Sequence, residues 1–272
     1  PGTWEGGEAD AQVDAEKRSR GLVLLIVYLL ALGIGFHLGT ILIYGGIFLM
    51  ILMVKRKSFS NFELIVITAG MGILVADMTL WRSTDLTLSL LAVFLLLLIW
   101  ISLSRGRFAL YGTLLFILGL SVHLFMYIRS AHDPAIDMVD PERWEAMYAH
   151  LRREQYPPID VMARKASPIF QIRHFAGYFW EQFRFVGDVR LGSLNIGPAS
   201  SAVALFLGLL GVVANFVREK KTWILNFTAL FLNSVGLIIF LNFSDAEVRE
   251  RDYFYGGAFY FFSIFIGIGA TA

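Results

Sequence analysis

The chain contains no cysteine and little charge. Without cysteine it has no disulfide framework, no thiolate nucleophile and no Cys-ligated zinc or iron–sulfur site. Only 17% of its residues are charged, against about 25% in soluble domains, while 57% are hydrophobic. Lys and Arg lie in short groups between apolar runs instead of forming one basic face, so we do not expect nucleic acid as a partner.

The two ends of the chain also lack expected signals. No basic segment with a cleavage site opens the chain, and the last apolar run, 256–272, stops without a polar flank. We therefore interpret the sequence as a fragment of a longer protein.

The apolar residues fall into runs of the length that crosses a bilayer. A hydrocarbon core about 30 Å thick takes about 20 helical residues. The run 21–54 is too long for one span, and Gly35, His37 and Gly39 mark a turn that divides it in two. Six more runs follow, at 62–80, 86–103, 108–127, 200–217, 223–242 and 256–272. We predict an all-α, polytopic transmembrane helix bundle of about eight spans.

Positive charge assigns the spans to sides of the membrane. If the spans alternate, every short loop on one side is basic, and the positive-inside rule makes that side cytoplasmic. The basic groups lie at 17–20, 55–57, 105–107 and 218–221. We predict an integral protein of the bacterial inner (cytoplasmic) membrane, divided into a cytoplasmic polar lead-in (1–20), five spans (21–127), an extracytoplasmic loop (128–199) and three spans, the last truncated (200–272).

The outer loop carries helix signals of its own. Asp140 and Pro141 form an N-cap with proline at the first helical position, and apolar residues then recur at helical spacing, which predicts an amphipathic helix ending near Tyr156. A second stretch, 168–185, mixes aromatic and basic residues, as is typical of the membrane interface.

Ionisable residues near span ends are the first candidates for chemistry, because burying them in lipid is costly. Glu63 is expected to extend to the interface, whereas Asp77 is too short to do so and needs a partner such as Arg82. His37 and His123 lack a neighbouring carboxylate pattern, so we predict no metal site.

The richest group of charges comes immediately before the last span. Arg249 and Arg251 alternate with Glu250 and Asp252, which suits a bidentate grip on a phosphate by oriented guanidinium groups, although a solvated charged turn has the same composition. Further candidates on the outer side are Arg129, Arg153, Glu154 and Tyr156. Asn226 and Asn242 match the glycosylation sequon, a motif that is common by chance.

Four segments, 33–38, 126–131, 151–156 and 248–269, resemble a family of bacterial membrane proteins long filed as a domain of unknown function. Its eukaryotic relative is the transmembrane O-mannosyltransferase of plexin-type receptor domains, and its plan is similar to that of GT-C glycosyltransferases. The resemblance extends from about residue 17 to the end of the chain.

The resemblance implies a membrane enzyme that moves a sugar, with mannose as one candidate, from a polyprenyl-phosphate donor to a protein or glycan acceptor outside the cytoplasm. Its substrate-binding residues would be Arg249, Glu250, Arg251, Asp252, Arg153, Glu154, Tyr156, Arg129 and His37. No cofactor is implied beyond the lipid-phosphate sugar itself. The acidic segment that such enzymes carry after their first span has no counterpart here, so we expect the catalytic base outside this chain and the chain alone to be inactive.

Two other classes stay open. A transporter or lipid flippase would use Asp77, His37 and His123 to line a path through the membrane. A non-catalytic scaffold would use the aromatic outer segment to bind a partner protein.

Overall fold

The computed structural model describes residues 3–54, 59–156, 162–184, 186–187, 189–191, 194–195, 197–246 and 250–272. These residues are almost entirely helical, with a single two-residue antiparallel ribbon, β1 (Arg190–Leu191) with β2 (Leu194–Asn195). The helices are α1 (Thr3–Phe36), α2 (Ile41–Met53), α3 (Asn61–Ala76), α4 (Thr84–Ser104), α5 (Phe108–Leu120), α6 (Leu124–Ser130), α7 (Trp144–Leu151), α8 (Pro168–Gln182), α9 (Gly197–Arg218), α10 (Lys220–Phe231), α11 (Leu237–Leu241) and α12 (Gly256–Ala270).

The predicted all-α polytopic bundle is confirmed. Among the described residues, seven helical runs are long and apolar enough to cross a membrane: Asp10–Phe36, Asn61–Trp81, Thr84–Ser104, Phe108–Ser130, Ala199–Arg218, Lys220–Leu241 and Asp252–Ala270. The second predicted span is present as a shorter apolar helix, Leu38–Met53. The chain is an integral, multi-pass membrane protein, because a water-soluble fold cannot bury so many apolar helices of this length.

The chain divides into two compact units. Unit 1 comprises residues 1–40 and 55–159, and unit 2 comprises residues 41–54 and 160–272. In unit 1, α5 packs along α1, and α3 packs against both α4 and α5. A glycine permits the close approach of α5 to α1, since a Cβ on Gly119 would lie 2.7 Å from the Tyr28 carbonyl oxygen. Small residues of this kind let membrane helices approach closely.

Unit 2 is built on two helix pairs, α9 with α12 and α10 with α2. The first pair crosses at reciprocal glycines: a Cβ on Gly211 would collide with the Phe265 carbonyl, and one on Gly269 with the Leu207 carbonyl. Any side chain at either position therefore forces the two backbones apart.

Local signals explain where α3 begins. The Ser60 hydroxyl accepts the Glu63 N–H at 3.2 Å, and the Glu63 carboxylate accepts the Ser60 N–H at 2.7 Å, which is a capping box. Glu63 is buried in this arrangement. Instead of extending away from the helix, as we expected, its carboxylate bonds back to the N-cap residue, because the helix N-terminus supplies its partners.

The first helix of the outer loop differs from its prediction. It begins at Trp144 and not at Pro141, because Val139 and Asp140 adopt left-handed φ values of 74° and 48°, and it ends at Leu151. The second stretch forms a helix, α8, with Ser167 as N-cap and Pro168 in the first turn.

Candidate functional site

A buried carboxylate, Asp77, organises the outer end of unit 1. It opens a π-helical turn, Asp77–Trp81, that extends α3. Its Oδ1 accepts from Arg152 Nη2 at 2.9 Å and from the Thr87 hydroxyl at 2.7 Å, and its Oδ2 accepts from Arg152 Nε at 3.0 Å. The Tyr148 hydroxyl lies 3.3 Å from Oδ2. The prediction that Arg82 is its partner is wrong. The cation is Arg152, which lies 75 residues further along the chain than Asp77.

This ion pair is closed to solvent and saturated with hydrogen bonds. The side chains of Arg152 and Asp77 are 7% and 6% exposed. The hydrogen bond to Asp77 raises the pKa of Arg152, and burial raises the pKa of the Tyr148 hydroxyl, with the Asp77 charge adding to the rise. These contacts hold the loop that carries Arg152 against the end of the span that carries Asp77.

The candidates that follow α7 face outward. Arg153 has a left-handed φ of 56°, and its guanidinium carbon lies 5.1 Å from the centre of the Tyr156 ring. The Tyr156 carbonyl accepts from Arg82 Nη1 at 2.9 Å, while the Tyr156 side chain and Glu154 are exposed. Arg153 and Tyr156, both named as candidates from sequence, are thus in contact.

Two other candidates in unit 1 occupy separate turns. Arg129 lies in the last turn of α6 with an exposed side chain. His37 follows the end of α1, and its Nδ1 accepts the Gly39 N–H at 3.1 Å, so the imidazole caps the turn that was predicted there.

The outer end of unit 2 is organised by an amide. Asn242 ends α11 with a left-handed φ of 48° and is 3% exposed. Its Oδ1 accepts the Lys165 N–H at 3.0 Å and the Gln171 amide at 3.2 Å, and its Nδ2 donates to the Ala163 carbonyl at 2.9 Å. These contacts fasten the start of α8 to the end of a span, and they bury the sequon that Asn242 begins.

An arginine completes this attachment. Arg164 donates from Nη1 to the Ile239 carbonyl at 2.9 Å and from Nη2 to the Ile238 carbonyl at 3.3 Å. The last carbonyls of a helix carry partial negative charge and can accept further hydrogen bonds, so a guanidinium is stabilised beside them.

Aromatic rings join α8 to the beginning of α12. Phe175 and Tyr255 meet edge to face at 4.9 Å between ring centres, and Phe179 meets Phe262 in the same way at 4.8 Å. Tyr255, Phe259 and Phe243 are buried in this cluster, which also includes Phe183.

The predicted phosphate-binding motif lies at the edge of the aromatic cluster. The Arg251 N–H donates to the Tyr178 hydroxyl at 3.2 Å, and the Arg251 guanidinium carbon lies 5.4 Å from the centre of the Phe243 ring. Glu250 and Asp252 are exposed beside it. Burial raises the pKa of Tyr178, and the Glu250 carboxylate adds to the rise. Arg249 lies outside the described residues.

This arrangement can bind an anion beside an apolar surface. A half-buried guanidinium stands over a ring, at the entrance to a span whose helix N-terminus carries partial positive charge. In the part of the chain that the structure describes, no group of three or more His, Asp or Glu residues is placed to hold a metal ion.

Comparison of the chain with family models, curated proteins and solved structures gives no match. The class that fold and composition define is a multi-pass membrane protein with polar and aromatic attachments at the ends of its spans.

Proposed function

We propose that this chain is part of a GT-C type membrane glycosyltransferase, which transfers a sugar from a polyprenyl-phosphate donor to an acceptor outside the cytoplasm. The observation that carries the proposal is Arg251, whose guanidinium lies over the Phe243 ring and whose backbone N–H donates to the Tyr178 hydroxyl, where the last span begins. A lipid phosphate needs both elements, a guanidinium for its oxygens and an apolar surface for its first isoprene units.

The reaction assigns Arg251 a defined task. A base outside this chain takes the proton of the acceptor hydroxyl, whose oxygen forms a bond to the anomeric carbon of the sugar. The bond between that carbon and the donor phosphate oxygen breaks, and the polyprenyl phosphate leaves with the electron pair. A guanidinium at the phosphate stabilises this growing negative charge in the transition state.

The buried charges of unit 1 favour this proposal over a transporter. Asp77 is paired with Arg152 at the end of its span, and the His123 ring nitrogen contacts the Leu120 carbonyl at 2.9 Å. A conduction path needs ionisable groups whose partners can exchange during transport, whereas the Asp77 oxygens are fully occupied.

The test is sugar transfer by the full-length protein in membranes, with labelled polyprenyl-phosphate sugars, mannose first. We expect Arg251→Ala to lower kcat by about 10²-fold, as is typical when one group that stabilises a transition-state charge is removed. Arg251→Lys should recover only part of the loss, because lysine cannot make the bidentate contact. Arg249→Ala should be measured in the same transfer assay.

A matched control is Arg173→Ala, since Arg173 is an exposed arginine on α8 in the same unit. It should transfer sugar like the wild type. Unchanged transfer by a well-inserted Arg251→Ala variant would contradict the assignment of the donor phosphate. Absence of transfer from every donor by the wild type would contradict the proposal as a whole and favour a transporter or scaffold.

A further inference from the structure

The turn between α9 and α10 lies at the opposite end of unit 2 from Asn242. The spanning runs end at Arg218 and begin again at Lys220, so Glu219 alone separates them. Arg218, Lys220 and Lys221 are all exposed. Because both spans end here, these cations lie at the depth of the lipid headgroups, on the side that the positive-inside rule makes cytoplasmic.

Glu219 offsets only one of the three positive charges in this turn. Glu219 accepts the Lys221 N–H through Oε1 at 3.2 Å, which commits its carboxylate to the helix start. Among the described residues, no ion pair involves Lys220 or Lys221. Arg218 donates from Nη2 to the Ala272 carbonyl at 3.4 Å, so the two lysines are the freer cations.

A buried amide in the same turn has an unused acceptor. Asn215 is 6% exposed, and its Nδ2 donates to the Thr222 hydroxyl oxygen at 2.9 Å. Thr222 in turn donates its hydroxyl proton to the Glu219 carbonyl at 3.0 Å, so the amide orientation is fixed. Within the described part of the chain, Asn215 Oδ1 has no hydrogen-bond partner.

An indole beside it has an unused donor. Trp223 stacks on Phe227 at 4.6 Å and meets the edge of Phe216 at 5.0 Å, and its buried Nε1 has no partner among the described residues. The Lys220 ammonium lies 5.8 Å from the centre of the Phe216 ring. Buried polar atoms are nearly always hydrogen-bonded, so an unused acceptor and an unused donor in one turn indicate a missing partner.

We propose that this turn binds the headgroup of an anionic phospholipid whose headgroup carries hydroxyls. Lys220 and Lys221 would contact its phosphate, its hydroxyl would donate to Asn215 Oδ1, and a glycerol or phosphate oxygen would accept from Trp223 Nε1, directly or through one water. The acyl chains would lie along the exposed side chains of Val213, Phe216 and Val217 on α9.

Phosphatidylglycerol has the required chemistry, and phosphatidylcholine does not, because choline is a cation without an N–H or O–H donor. Lipid is favoured over free phosphate because the cations, the indole and an exposed apolar helix face meet at one span end.

The experiment is native mass spectrometry of the full-length protein released from bilayers of equal parts phosphatidylglycerol and phosphatidylcholine. We expect the wild type to retain phosphatidylglycerol selectively, and Lys220→Gln with Lys221→Gln to reduce that retention about tenfold or more, since each lysine contributes about as much as a surface cation near an anionic leaflet. Trp223→Phe keeps the ring and the charge but removes the N–H, and should reduce retention several-fold.

The matched control is Arg105→Gln with Arg107→Gln, which neutralises the basic turn of unit 1 between α4 and α5. It should leave selective retention unchanged. An equal loss in this control, equal retention of both lipids by the wild type, or full retention by Trp223→Phe would each overturn the proposal. Trp223→Phe and Asn215→Leu leave the net charge intact, so they decide the question even where the lysine variant inserts poorly.

Discussion

The two units fasten the outer loop to the membrane spans by different chemistry. In unit 1 a buried ion pair, Arg152 with Asp77, makes the attachment. In unit 2 the neutral amide of Asn242 makes it, and Arg164 binds uncharged backbone carbonyls. In each unit, the span that carries the attachment contains a π-helical turn, Asp77–Trp81 in unit 1 and Leu232–Gly236 in unit 2.

The comparison shows how differently the two attachments should fail. A buried carboxylate is tolerable only while its partner remains, because an unpaired charge away from water is very costly. A neutral network loses one hydrogen bond at a time. In unit 1, loss of either Arg152 or Asp77 should therefore destroy the attachment. In unit 2, the attachment should weaken in proportion to the number of Asn242 hydrogen bonds that are lost.

The largest effect is expected from Arg152→Ala. It leaves Asp77 buried without its cation, which costs about 3–5 kcal/mol. The free energy of unfolding in detergent micelles measures this loss. Replacing both residues with leucine should restore most of the stability, since an apolar pair of similar volume is often as stable as a buried ion pair. Additive losses in the double variant would contradict the account.

Asn242→Ala comes next, with an expected loss of about 2–3 kcal/mol. It removes the contacts to Lys165, Gln171 and Ala163, and it places a Cβ residue without local hydrogen bonds at a φ of 48°. Asn242→Gly tolerates that φ and loses only the side chain, so it should fall between alanine and the wild type. A glycine variant less stable than the alanine variant would be inconsistent with this explanation.

The smallest expected effect is a dependence of stability on pH that arises in unit 1, where His150 lies. Burial lowers the pKa of His150 below its ordinary 6.5, with the nearby His123 adding to the effect. Because the folded-state pKa is lower than the unfolded one, the chain loses stability as pH falls below about 6.5, until the folded-state pKa is passed. Unfolding midpoints between about pH 5 and 8 should show this slope in the wild type and less of it in His150→Phe. An equal slope in both would exclude His150 as its source.

The helices could be predicted because membrane spans are specified locally. Runs of apolar residues and basic flanks fix most of their positions, and the bounds differ by a few residues for spans such as 86–103, observed as Thr84–Ser104. The first helix is the exception, because it continues back through the predicted polar lead-in to Thr3. The predicted start of α7 was wrong because the left-handed backbone at Val139 and Asp140 overrides the N-cap signal. The sequence gives no clear signature of such conformations in residues other than glycine.

The attachments could not be predicted because they join residues far apart in the chain. Arg82 is the nearest cation to Asp77 in sequence, but Arg152 has the right position in space. One signal was present: Tyr148 and Arg152 are four residues apart, which placed a hydroxyl and a guanidinium on one face near the end of α7. Asn242 looked like a sequon, and only its buried contacts reveal it as a helix cap.

The central claim is that residues 250–255 bind a polyprenyl phosphate on the outer side of the membrane. The absence of cysteine in this chain makes a direct test simple, once any cysteine elsewhere in the full-length protein is replaced. Tyr253→Cys, at a position that is 65% exposed, would be labelled in intact cells with an impermeant maleimide, with Lys221→Cys as the opposite-side control. The account predicts that Tyr253→Cys reacts without permeabilisation and is protected by polyprenyl phosphate, whereas Lys221→Cys reacts only after permeabilisation and is not protected. Equal reactivity with and without polyprenyl phosphate, or labelling of Tyr253→Cys only after permeabilisation, would contradict it.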